Sequence, residues 1–533
     1  MKTAPPEVLL IGPEIEENLG LRYIAAALTA AGVSAAIAPF DSSAQLPSLR
    51  DLVSAQGPRV VALSLAFQWR AHDVLALAVA LRESGYGGHI TAGGHFATFQ
   101  WSDILGAFPE FDSLCLGEAE HTIVELVAAL AGGRSLDTVA GLSLPRPDGQ
   151  PFATPPRPRP DIDALPEPDR RGIPAQCLGQ PIATLVAGRG CYANCAFCCI
   201  AAWHERAGGG PRWRQRRTDA VADEIARLYH RDGIRIFILH DDNFLPPGHE
   251  PALARIDALA QALERRGVGR IASVVKARPN DVTAEIFAAL RDRLGLVRVF
   301  LGIENDSAQG LATLRRGVRR EQNHQAMRVL SELGVFVCFN LLLWDPDTDF
   351  DALETNLAFM ETFAETPHNF GRVELYAGTP LLARMRREGR CRGDWMGWDY
   401  TLASDAMQRV FDLAMTCFYD RNFGDDAAAN RLASTRFDVE VARHFHPGRF
   451  DPGWLDEARR LSRTLVLDSV RGMREIIAFV RRGGESTVFA QDLRPRLDLT
   501  GRIVLDGAAR LEEQVQAGVG MRCRHHRITA PIR

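Results

Sequence analysis

A proline-rich segment divides this chain into parts that must fold around separate cores. Residues 145–181 contain eleven prolines, and each proline fixes the backbone φ angle and lacks the N–H group that helices and sheets use. The segment therefore predicts an extended linker. We expect four regions, namely an N-terminal domain over residues 1–140, a linker over 141–181, a second domain over 182–380 and a mainly helical C-terminal region over 381–533.

Short apolar runs alternate with helical patterns in the N-terminal region. Val8 to Ile11 and Val60 to Ser64 are typical of buried strands. Alternation of strands and helices predicts an α/β domain with a doubly wound, Rossmann-like parallel sheet, which binds ligands at the carboxyl ends of its strands. The loop after the first strand lacks a G-x-G-x-x-G pattern, so an ordinary dinucleotide-binding domain is the less favoured alternative.

The second region repeats this alternation with amphipathic helices between the strands. Six strand–helix units predict a partial, TIM-like (β/α)6 barrel, with functional residues at the C-terminal ends of its strands. We expect the strands at residues 182–187, 234–239, 270–275, 297–302, 336–342 and 373–376.

Composition excludes several partners. The formal net charge is −4, with 46% apolar and 24% charged residues, so nothing favours nucleic acid or an anionic membrane. No apolar run reaches the ~18 residues that cross a bilayer, and no signal peptide is recognisable. We expect a cytoplasmic protein with no nucleic-acid or membrane partner, in which the ten cysteines do not form a disulfide framework.

Three cysteines are closely spaced directly after the first predicted barrel strand. Cys191, Cys195 and Cys198 form a C-x3-C-x2-C pattern, and thiolates are the usual ligands of iron–sulfur clusters. Three ligands on a four-iron cube leave one iron free to bind the amino and carboxylate groups of S-adenosylmethionine (SAM). A zinc site is the alternative, although structural zinc usually takes four protein ligands. Cys199 is left out of the ligand set because adjacent cysteines rarely both reach one cluster.

Polar side chains follow the next three strands. An Asp-Asp-Asn segment follows the second strand, where it could accept hydrogen bonds from an ammonium group or cap a helix. A Lys-x-Arg pair continues the third strand and suits either a bound carboxylate or salt bridges at the rim. A glutamate ends the fourth strand, and a buried carboxylate needs a donor nearby. The candidate SAM-binding residues, including the aromatic that precedes the last cysteine, are Phe197, Asp241, Asp242, Asn243, Lys276, Arg278 and Glu304.

These motifs resemble the radical SAM superfamily, and specifically its cobalamin-binding branch, over about residues 5–400. The segment from Tyr376 to Pro380 is similar to the Tyr-Pro-Gly-Thr-Pro of that family. Residues 343–348 read Leu-Trp-Asp-Pro-Asp-Thr, where the family commonly has Gly-x-Pro-Gly-Glu-Thr. This departure puts the local SAM contacts in doubt and points to an altered substrate pocket.

Three short segments of the N-terminal region resemble the cobalamin domains of this branch. Small residues at strand ends leave room for a flat corrin ring or its nucleotide tail. The D-x-H-x-x-G motif that supplies a cobalt ligand in some cobalamin proteins is absent, so we expect no histidine ligand from that loop. His95 is more typical of a tail contact or surface residue, and an empty cobalamin-like fold is the alternative. The candidate cobalamin-binding residues are Ser64, Leu65, Gly93, Gly94, His95, Gly117 and Glu118.

The resemblance implies a 4Fe–4S cluster, SAM and cobalamin as cofactors. It also implies a small-molecule substrate and a one-electron reductant such as flavodoxin or ferredoxin. The leading hypothesis is a methyltransferase: one SAM methylates cobalamin, a second SAM gives a 5′-deoxyadenosyl radical, and the methyl group passes to a substrate carbon. The alternatives are an oxidative cyclase or ring-rearranging enzyme, a non-radical cobalamin methyltransferase, and a non-catalytic cobalamin-binding protein.

The C-terminal region resembles no family that its residues allow us to name. We expect it to cover the barrel mouth or to shape the substrate pocket. Its histidine pairs, His444 with His446 and His525 with His526, are more typical of surface or packing residues than of metal ligands.

Overall fold

The chain folds into three units that follow one another in sequence. The computed structural model describes residues 5–15, 17–146, 149–172, 174–206, 210–424, 427–484 and 488–523. Among these residues, no helix combines the length and the apolar character needed to cross a membrane.

The N-terminal domain is a sheet with helices on both faces. Its strands are β1 (Val8–Gly12), β2 (Ala35–Pro39), β3 (Val60–Ser64), β4 (His89–Gly93), β5 (Ser113–Cys115), β6 (Leu142–Leu144) and β7 (Phe152–Ala153). Its helices are α1 (Leu19–Ala30), α2 (Leu46–Gln56), α3 (Ala71–Glu83), α4 (His95–Ala107) and α5 (Glu120–Ala131).

The sheet order β2-β1-β3-β4-β5-β6-β7 starts with five parallel strands and ends with two antiparallel ones. One face packs against α1 and α5, and the other against α2, α3 and α4. All five residues of β1 are buried, as expected for a strand covered on both sides. The predicted doubly wound, Rossmann-like domain is confirmed.

The N-terminal sheet extends past residue 140, so the predicted linker begins too early. Strands β6 and β7 both lie inside the 141–181 segment, and every residue of β6 is buried. Prolines flank these short strands without entering them, which is how a proline-rich segment still contributes edge strands. From residue 154 to 175, the described residues contain no helix or strand.

The second domain is a curled half-barrel. Its strands are β8 (Gln176–Cys177), β9 (Gln180–Leu185), β10 (Gly188–Gly190), β11 (Trp213–Gln215), β12 (Ile236–Leu239), β13 (Ala272–Ala277), β14 (Leu296–Leu301), β15 (Phe336–Trp344) and β16 (His368–Arg372). Its helices are α6 (Cys199–Arg206), α7 (Thr218–Arg231), α8 (His249–Arg265), α9 (Ala284–Leu294), α10 (Ala308–Thr313), α11 (Arg320–Glu332), α12 (Phe350–Thr362) and α13 (Pro380–Arg387).

Six strands of this sheet, β9, β12, β13, β14, β15 and β16, are parallel and adjacent in chain order, with β8 antiparallel at the edge. Strands β10 and β11 form a separate antiparallel pair. The predicted partial barrel of six strands is therefore confirmed.

The sixth strand lies earlier than predicted. It runs over β16, whose sequence His-Asn-Phe-Gly-Arg lacks an apolar run, whereas the prediction followed the more apolar residues 373–376. Those residues lie just past the carboxyl end of the strand, which places Glu374 and Tyr376 at the mouth of the half-barrel.

The C-terminal region is mainly helical, as predicted. It begins with a hairpin of β17 (Cys391–Asp394) and β18 (Gly397–Tyr400), followed by α14 (Asp405–Phe423), α15 (Ala428–Phe445), α16 (Pro452–Arg481) and α17 (Val488–Val519).

Helices α15 and α17 pack against the half-barrel near the N-terminal ends of its strands. Leu432 and Phe437 of α15 share a core with Ile236 and Phe336, the first residues of β12 and β15. Helices α7 to α9 and α12 cover the opposite face. The expectation that this region covers the barrel mouth is therefore not met by these two helices, because their apolar residues match the strand bases.

Candidate active site

The cysteine loop starts where strand β10 ends. Gly190 has a left-handed φ of +86°, and a Cβ atom there would lie 1.8 Å from the Arg212 carbonyl oxygen. Only glycine fits such a position. Cys191 follows directly and α6 begins at Cys199, so the three predicted ligand cysteines share one short loop.

Contacts with the rest of the half-barrel fix this loop. The Ala196 N–H donates to the Leu314 carbonyl at 2.9 Å, and the Leu381 N–H donates to the Ala196 carbonyl at 2.9 Å. Phe197, predicted near the cofactor, is half-buried and packs against the barrel core. Its ring therefore helps to anchor the loop.

Two guanidinium groups lie at the Cys195 thiol. Arg278 Nη1 is 3.5 Å and Arg316 Nη1 is 3.1 Å from Cys195 Sγ. Nearby positive charge favours the thiolate that a cluster needs. Burial raises the pKa of the Cys191 and Cys198 thiols, so a bound metal is needed to keep those two deprotonated.

The spacing of the loop cysteines does not match a single zinc ion. Two thiolates on one tetrahedral zinc lie about 3.8 Å apart, given Zn–S bonds of about 2.3 Å. In the described chain, only Cys177, Asp438 and Cys523 bring three metal-ligating atoms within 4.8 Å of one another. The loop thiols are thus spread more widely than one ion requires, and this wider donor set fits a larger iron–sulfur cluster.

The Asp-Asp-Asn segment after β12 braces the cysteine loop. The Asp241 carboxylate accepts from the Ala187 N–H at 3.2 Å, and Asp242 accepts from the Gly190 N–H at 3.0 Å. Burial raises the pKa of Asp241 to about 7. Asn243 donates to the Leu245 carbonyl at 3.0 Å. None of the three caps α8, whose N-cap is Gly248, so the alternative of a helix cap is wrong.

Asp242 differs from its neighbours because its side chain is exposed. Its negative charge raises the pKa of Cys198 on one side and that of His95, in the N-terminal domain, on the other. In both cases burial is the larger influence. Asp242 therefore lies near both Cys198 of the half-barrel and His95 of the N-terminal domain.

The Lys-x-Arg pair after β13 divides into two roles. Lys276 Nζ lies 2.9 Å from His240 Nδ1 at the rim. The Arg278 guanidinium contacts Cys195 and donates to the carbonyl oxygen of Arg316. Arg316 was not among the predicted site residues. Arg316 lies 118 residues beyond Cys198, so its position in the sequence gives no indication that it contacts the cysteine loop.

Glu304 has an unusual backbone and an unpaired carboxylate. Its φ is +64°, a left-handed value that is strained for a residue with a side chain. Burial raises the pKa of its carboxyl group, and Arg316 and Arg278 lower it. Among the described residues, the carboxylate has no hydrogen-bond partner. Such a half-buried, unpaired acceptor fits the ammonium group of SAM, which supplies both the charge and the donors.

The strand ends of the N-terminal domain are shaped by glycine. Gly94 has a φ of +116°, and a Cβ atom there would lie 2.8 Å from Ala66 Cα. Thr98 Oγ1 donates to the Gly94 carbonyl at 2.8 Å and accepts from the Gly117 N–H at 3.0 Å, so one side chain joins two predicted loops. At Gly93 a Cβ atom would meet only Cys115, at 3.5 Å.

Ser64 and Leu65 occupy different environments at the end of β3. Ser64 is half-buried, and its Cβ would lie 2.5 Å from a Cβ built at Gly12. The Leu65 side chain is fully buried in the domain core, and its N–H donates to the Gly93 carbonyl at 2.8 Å. Leu65 therefore contributes packing below the strand ends.

Glu118 links the two domains. It accepts from Arg189 Nη1 at 2.6 Å and from Arg214 Nη2, both in the half-barrel domain. Glu120 pairs with the same Arg189 at 2.7 Å. The Glu118 carboxylate, predicted to contact cobalamin, is thus already engaged in ion pairs.

Buried aromatic and imidazole groups meet where the domains face each other. The His95 ring centroid lies 4.7 Å from that of Trp203. Trp203 Nε1 and His204 Nδ1 are both buried and have no hydrogen-bond partner among the residues that the structure describes, and burial lowers the pKa of His204 to about 3. Unpartnered polar atoms in this position fit a polar ligand between the domains, such as the amide side chains of a corrin.

A carboxyl–phenol pair faces the cysteine loop from the far rim. The Tyr376 hydroxyl donates to Glu374 Oε2 at 2.5 Å. Burial raises the pKa of both groups, and the negative charges of Cys199 and Cys198 raise that of Tyr376 further. Sequence reasoning singled out Tyr376 through its motif and missed Glu374, which has no motif.

The unusual turn at residues 343–348 is stabilised by ion pairs. Asp347 accepts from Arg384 at 2.6 and 2.8 Å and from Arg390 at 3.2 Å. Burial opposes ionisation of Asp347, but the Arg384 hydrogen bonds outweigh it and lower its pKa. The departure from the family turn thus fastens α13 and the β17–β18 hairpin to the half-barrel.

The C-terminal histidines in the described residues contact backbone. His444 Nε2 lies 2.8 Å from the Ile271 carbonyl oxygen, and His446 Nε2 lies 3.3 Å from that of Leu178. His525 and His526 lie outside the described residues.

Comparison with known proteins assigns both halves of this site to families. Residues 13–127 match the family model of the B12 binding domain, and residues 185–357 match that of the Radical SAM superfamily.

Curated relatives are similar at low identity. The chain is 25% identical over 342 residues to an uncharacterized methyltransferase of Pyrococcus horikoshii, covering 63% of this chain and 67% of that protein. It is 29% identical over 306 residues to the anaerobic magnesium-protoporphyrin IX monomethyl ester cyclase of Synechocystis sp., covering 55% of this chain and 57% of that protein. Each relative is therefore matched over only part of its length.

Among solved structures, the fold is similar to the cobalamin-dependent S-adenosylmethionine radical enzyme OxsB with aqua-cobalamin bound. The TM-score is 0.66 at 17% identity, covering 98% of this chain and 82% of that chain. This likeness includes the helical C-terminal region and concerns the fold alone.

The two matched domains imply cobalamin, SAM and a 4Fe–4S cluster as cofactors. The three-cysteine loop, the unpaired Glu304 carboxylate and the glycine-shaped strand ends fit these groups. The chain therefore carries a B12 binding domain over residues 13–127, followed by a Radical SAM superfamily domain over residues 185–357.

Proposed function

We propose that this protein is a methyltransferase that moves a methyl group from SAM, through cobalamin, to a carbon centre of a small-molecule substrate. In this proposal Cys191, Cys195 and Cys198 hold the cluster. When bound, the cluster with SAM supplies a carbon-centred radical, and cobalamin supplies the methyl group. The residues of the chain bind and orient these groups and the substrate.

The proposal rests on one observation, namely that the N-terminal domain meets the half-barrel beside the cysteine loop. The His95 ring lies 4.7 Å from that of Trp203, in the helix α6 that follows the loop, and the exposed Asp242 carboxylate acts on the pKa of both Cys198 and His95. A substrate bound there would be close to a radical source and to a methyl donor at once, so that no diffusion step separates the two events.

Charged side chains next to the cysteine loop suit the two ends of SAM. The Glu304 carboxylate is half-buried and has no hydrogen-bond partner among the described residues, and it would accept from the SAM ammonium group. Arg278 and Arg316 lie beside Cys195, where their charge balances that of the thiolates.

The pair of Glu374 and Tyr376 suits the substrate side of this region. The 2.5 Å hydrogen bond between them fixes the phenol at the mouth of the half-barrel. Because burial raises the pKa of Glu374, this carboxyl group is well placed to hold or exchange a proton with a polar group of the substrate.

An oxidative cyclase or ring-rearranging enzyme is the second candidate. The similarity to the Synechocystis cyclase favours it, because the identity of 29% to that relative is as high as the 25% to the methyltransferase relative. The two candidates differ in whether a methyl group leaves SAM.

A product assay separates them. The protein is reconstituted anaerobically with iron, sulfide and cobalamin, then given SAM and a one-electron reductant such as reduced flavodoxin or ferredoxin. We expect both 5′-deoxyadenosine and S-adenosylhomocysteine by mass spectrometry, and label from methyl-deuterated SAM in any product. 5′-Deoxyadenosine alone would contradict methyl transfer and favour the cyclase. S-Adenosylhomocysteine alone would indicate non-radical methylation, and neither product would indicate a non-catalytic binding protein.

A further inference from the structure

A second group of metal-ligating atoms lies at the opposite end of the half-barrel from the cysteine loop. Cys177 Sγ is 3.9 Å from Cys523 Sγ and 3.2 Å from Asp438 Oδ1, and Cys523 Sγ is 3.6 Å from Asp438 Oδ2. Cys177 is in β8, next to the start of β9, whose other end leads to the cysteine loop. Neither the family models nor the proposed function assigns a role to these three residues.

The Asp438 carboxylate lacks a compensating positive charge. In the part of the chain that the structure describes, its only hydrogen-bond partners are the two thiols, and S–H groups are weak donors. Glu512 adds a second negative charge nearby, and Arg431, whose positive charge also acts on Asp438, is paired with Glu512. A half-buried carboxylate with this surrounding is destabilised unless a cation joins it.

The distances agree with one tetrahedral zinc ion. Zn–S bonds of about 2.3 Å and Zn–O bonds of about 2.0 Å put two thiolates about 3.8 Å apart and a thiolate and a carboxylate oxygen about 3.5 Å apart. The two thiols lie 3.9 Å apart, close to the value for one zinc ion. Their contacts with Asp438, at 3.2 and 3.6 Å, reach its two different carboxylate oxygens, and one ligand atom from each of the three residues lies within 4.8 Å of the others. Thiolate with carboxylate is a donor set that suits zinc rather than magnesium or calcium.

We propose that Cys177, Asp438 and Cys523 bind one zinc ion, with water as its fourth ligand.

Such an ion would join three distant segments. Cys177 is in the edge strand β8, Asp438 is in α15, and Cys523 follows the end of α17. The thiols are 346 residues apart in sequence. The ion would therefore hold the C-terminal helices against the bases of the barrel strands, far from the radical chemistry, and would stabilise the fold by closing a very long loop.

Metal analysis of the full-length reconstituted protein tests this proposal. Zinc and iron are measured together after growth with added zinc and removal of loosely bound metal. We expect about one zinc ion per chain. In Cys177→Ser/Cys523→Ser, zinc should fall at least tenfold while iron content is unchanged, because the cysteine loop is untouched. The conservative Asp438→Asn should weaken zinc binding by about 10–100-fold, as loss of one anionic ligand does.

The matched control is Cys338→Ser/Cys417→Ser, which removes two buried cysteines that lie outside this group. It should keep its zinc, and unchanged iron in all variants shows that each one has folded. Cobalt(II) added to zinc-free protein should give the intense thiolate-to-cobalt absorption of a tetrahedral site in the control and not in Cys177→Ser/Cys523→Ser.

Zinc that stays in Cys177→Ser/Cys523→Ser would overturn the proposal, as would wild-type protein that takes up no zinc. A Cys177–Cys523 disulfide found by mass spectrometry in freshly purified, zinc-free protein would overturn it as well. That result would assign the pair to covalent crosslinking.

Discussion

The two cofactor regions of this protein are built in opposite ways. On the barrel side the candidate residues act through what their side chains supply, namely three thiols, two guanidinium groups and the Glu304 carboxylate. On the N-terminal side the strand ends are mainly glycines, and their contribution is the space that they leave. Substitutions that remove a side chain should therefore impair cofactor binding on the barrel side. Substitutions that add a side chain at a glycine should impair the N-terminal side.

The largest effect should come from a loop cysteine. Cys198→Ala removes one of the three proposed cluster ligands, so cleavage of SAM should fall below about one hundredth of wild type. The adjacent Cys199→Ser should keep most of its activity and iron, since Cys199 opens α6 outside the ligand set. Formation of 5′-deoxyadenosine and iron content measure both. Equal losses in the two variants would contradict the assignment of the triad.

The second-largest effect should come from removal of a guanidinium group next to the cysteine loop. Arg316→Met deletes the 3.1 Å contact with Cys195 Sγ, and a hydrogen bond to a charged group contributes about 1.5–3 kcal/mol. Cluster retention during exposure to a chelator should therefore drop about 10–100-fold, as followed by absorbance. Arg328→Met, on the exposed face of α11, should behave like wild type.

In the N-terminal domain, the informative substitution adds a side-chain atom at a glycine. Gly94→Ala places a Cβ atom 2.8 Å from Ala66 Cα in a backbone with φ of +116°, which should cost about 1–3 kcal/mol of the free energy of unfolding. Gly106→Ala in α4 meets nothing within 4 Å, so it should be neutral or stabilising by about 0.5–1 kcal/mol. Denaturant unfolding of the two variants measures the difference, and similar values would contradict the tight approach at Gly94.

Glu304→Gln tests the SAM contact and its pH dependence. Loss of one charge-assisted contact should raise the dissociation constant for SAM by about tenfold, with iron content retained. Burial raises the pKa of Glu304, so in wild type SAM affinity should weaken as the pH falls, at a higher pH than for an ordinary carboxyl group. The variant should lack this pH dependence. The exposed Glu332→Gln is the control, and calorimetry is the measurement.

The smallest effect on stability should come from Gly93→Ala. Its Cβ would meet only Cys115, at 3.5 Å, so unfolding should change by less than about 0.5 kcal/mol. Cobalamin affinity should nevertheless fall if this strand end faces the cofactor. Unchanged cobalamin binding, measured by absorbance titration, would show that the space at Gly93 is not used.

The sequence predicted what depends on neighbours in the chain. The C-x3-C-x2-C spacing located the cysteine loop, and strand–helix alternation predicted both α/β domains. The predictions failed where the signal was weak or misleading. Strand β16 has a polar sequence and was placed a few residues late, and the proline-rich segment masked strands β6 and β7. The sequence of helix α15 does not indicate that the helix packs against the N-terminal ends of the barrel strands.

Contacts between distant residues were not accessible to sequence reasoning. Arg316 reaches Cys195 across 121 residues, and Glu118 reaches Arg189 across 71. Both arginines look like ordinary surface residues in a sequence with 62 basic residues. Their roles follow only from the way the strands bring their ends together.

The sequence by itself determined the order of the two cofactor domains and the loop that carries the cysteine triad, because local spacing and periodicity specify them. Only the tertiary structure decided which charges meet that loop, how the two domains meet beside it, and that Cys177, Asp438 and Cys523 come together. Packing of apolar strand faces and helices sets those positions, and the energy of that packing depends on all the elements at once.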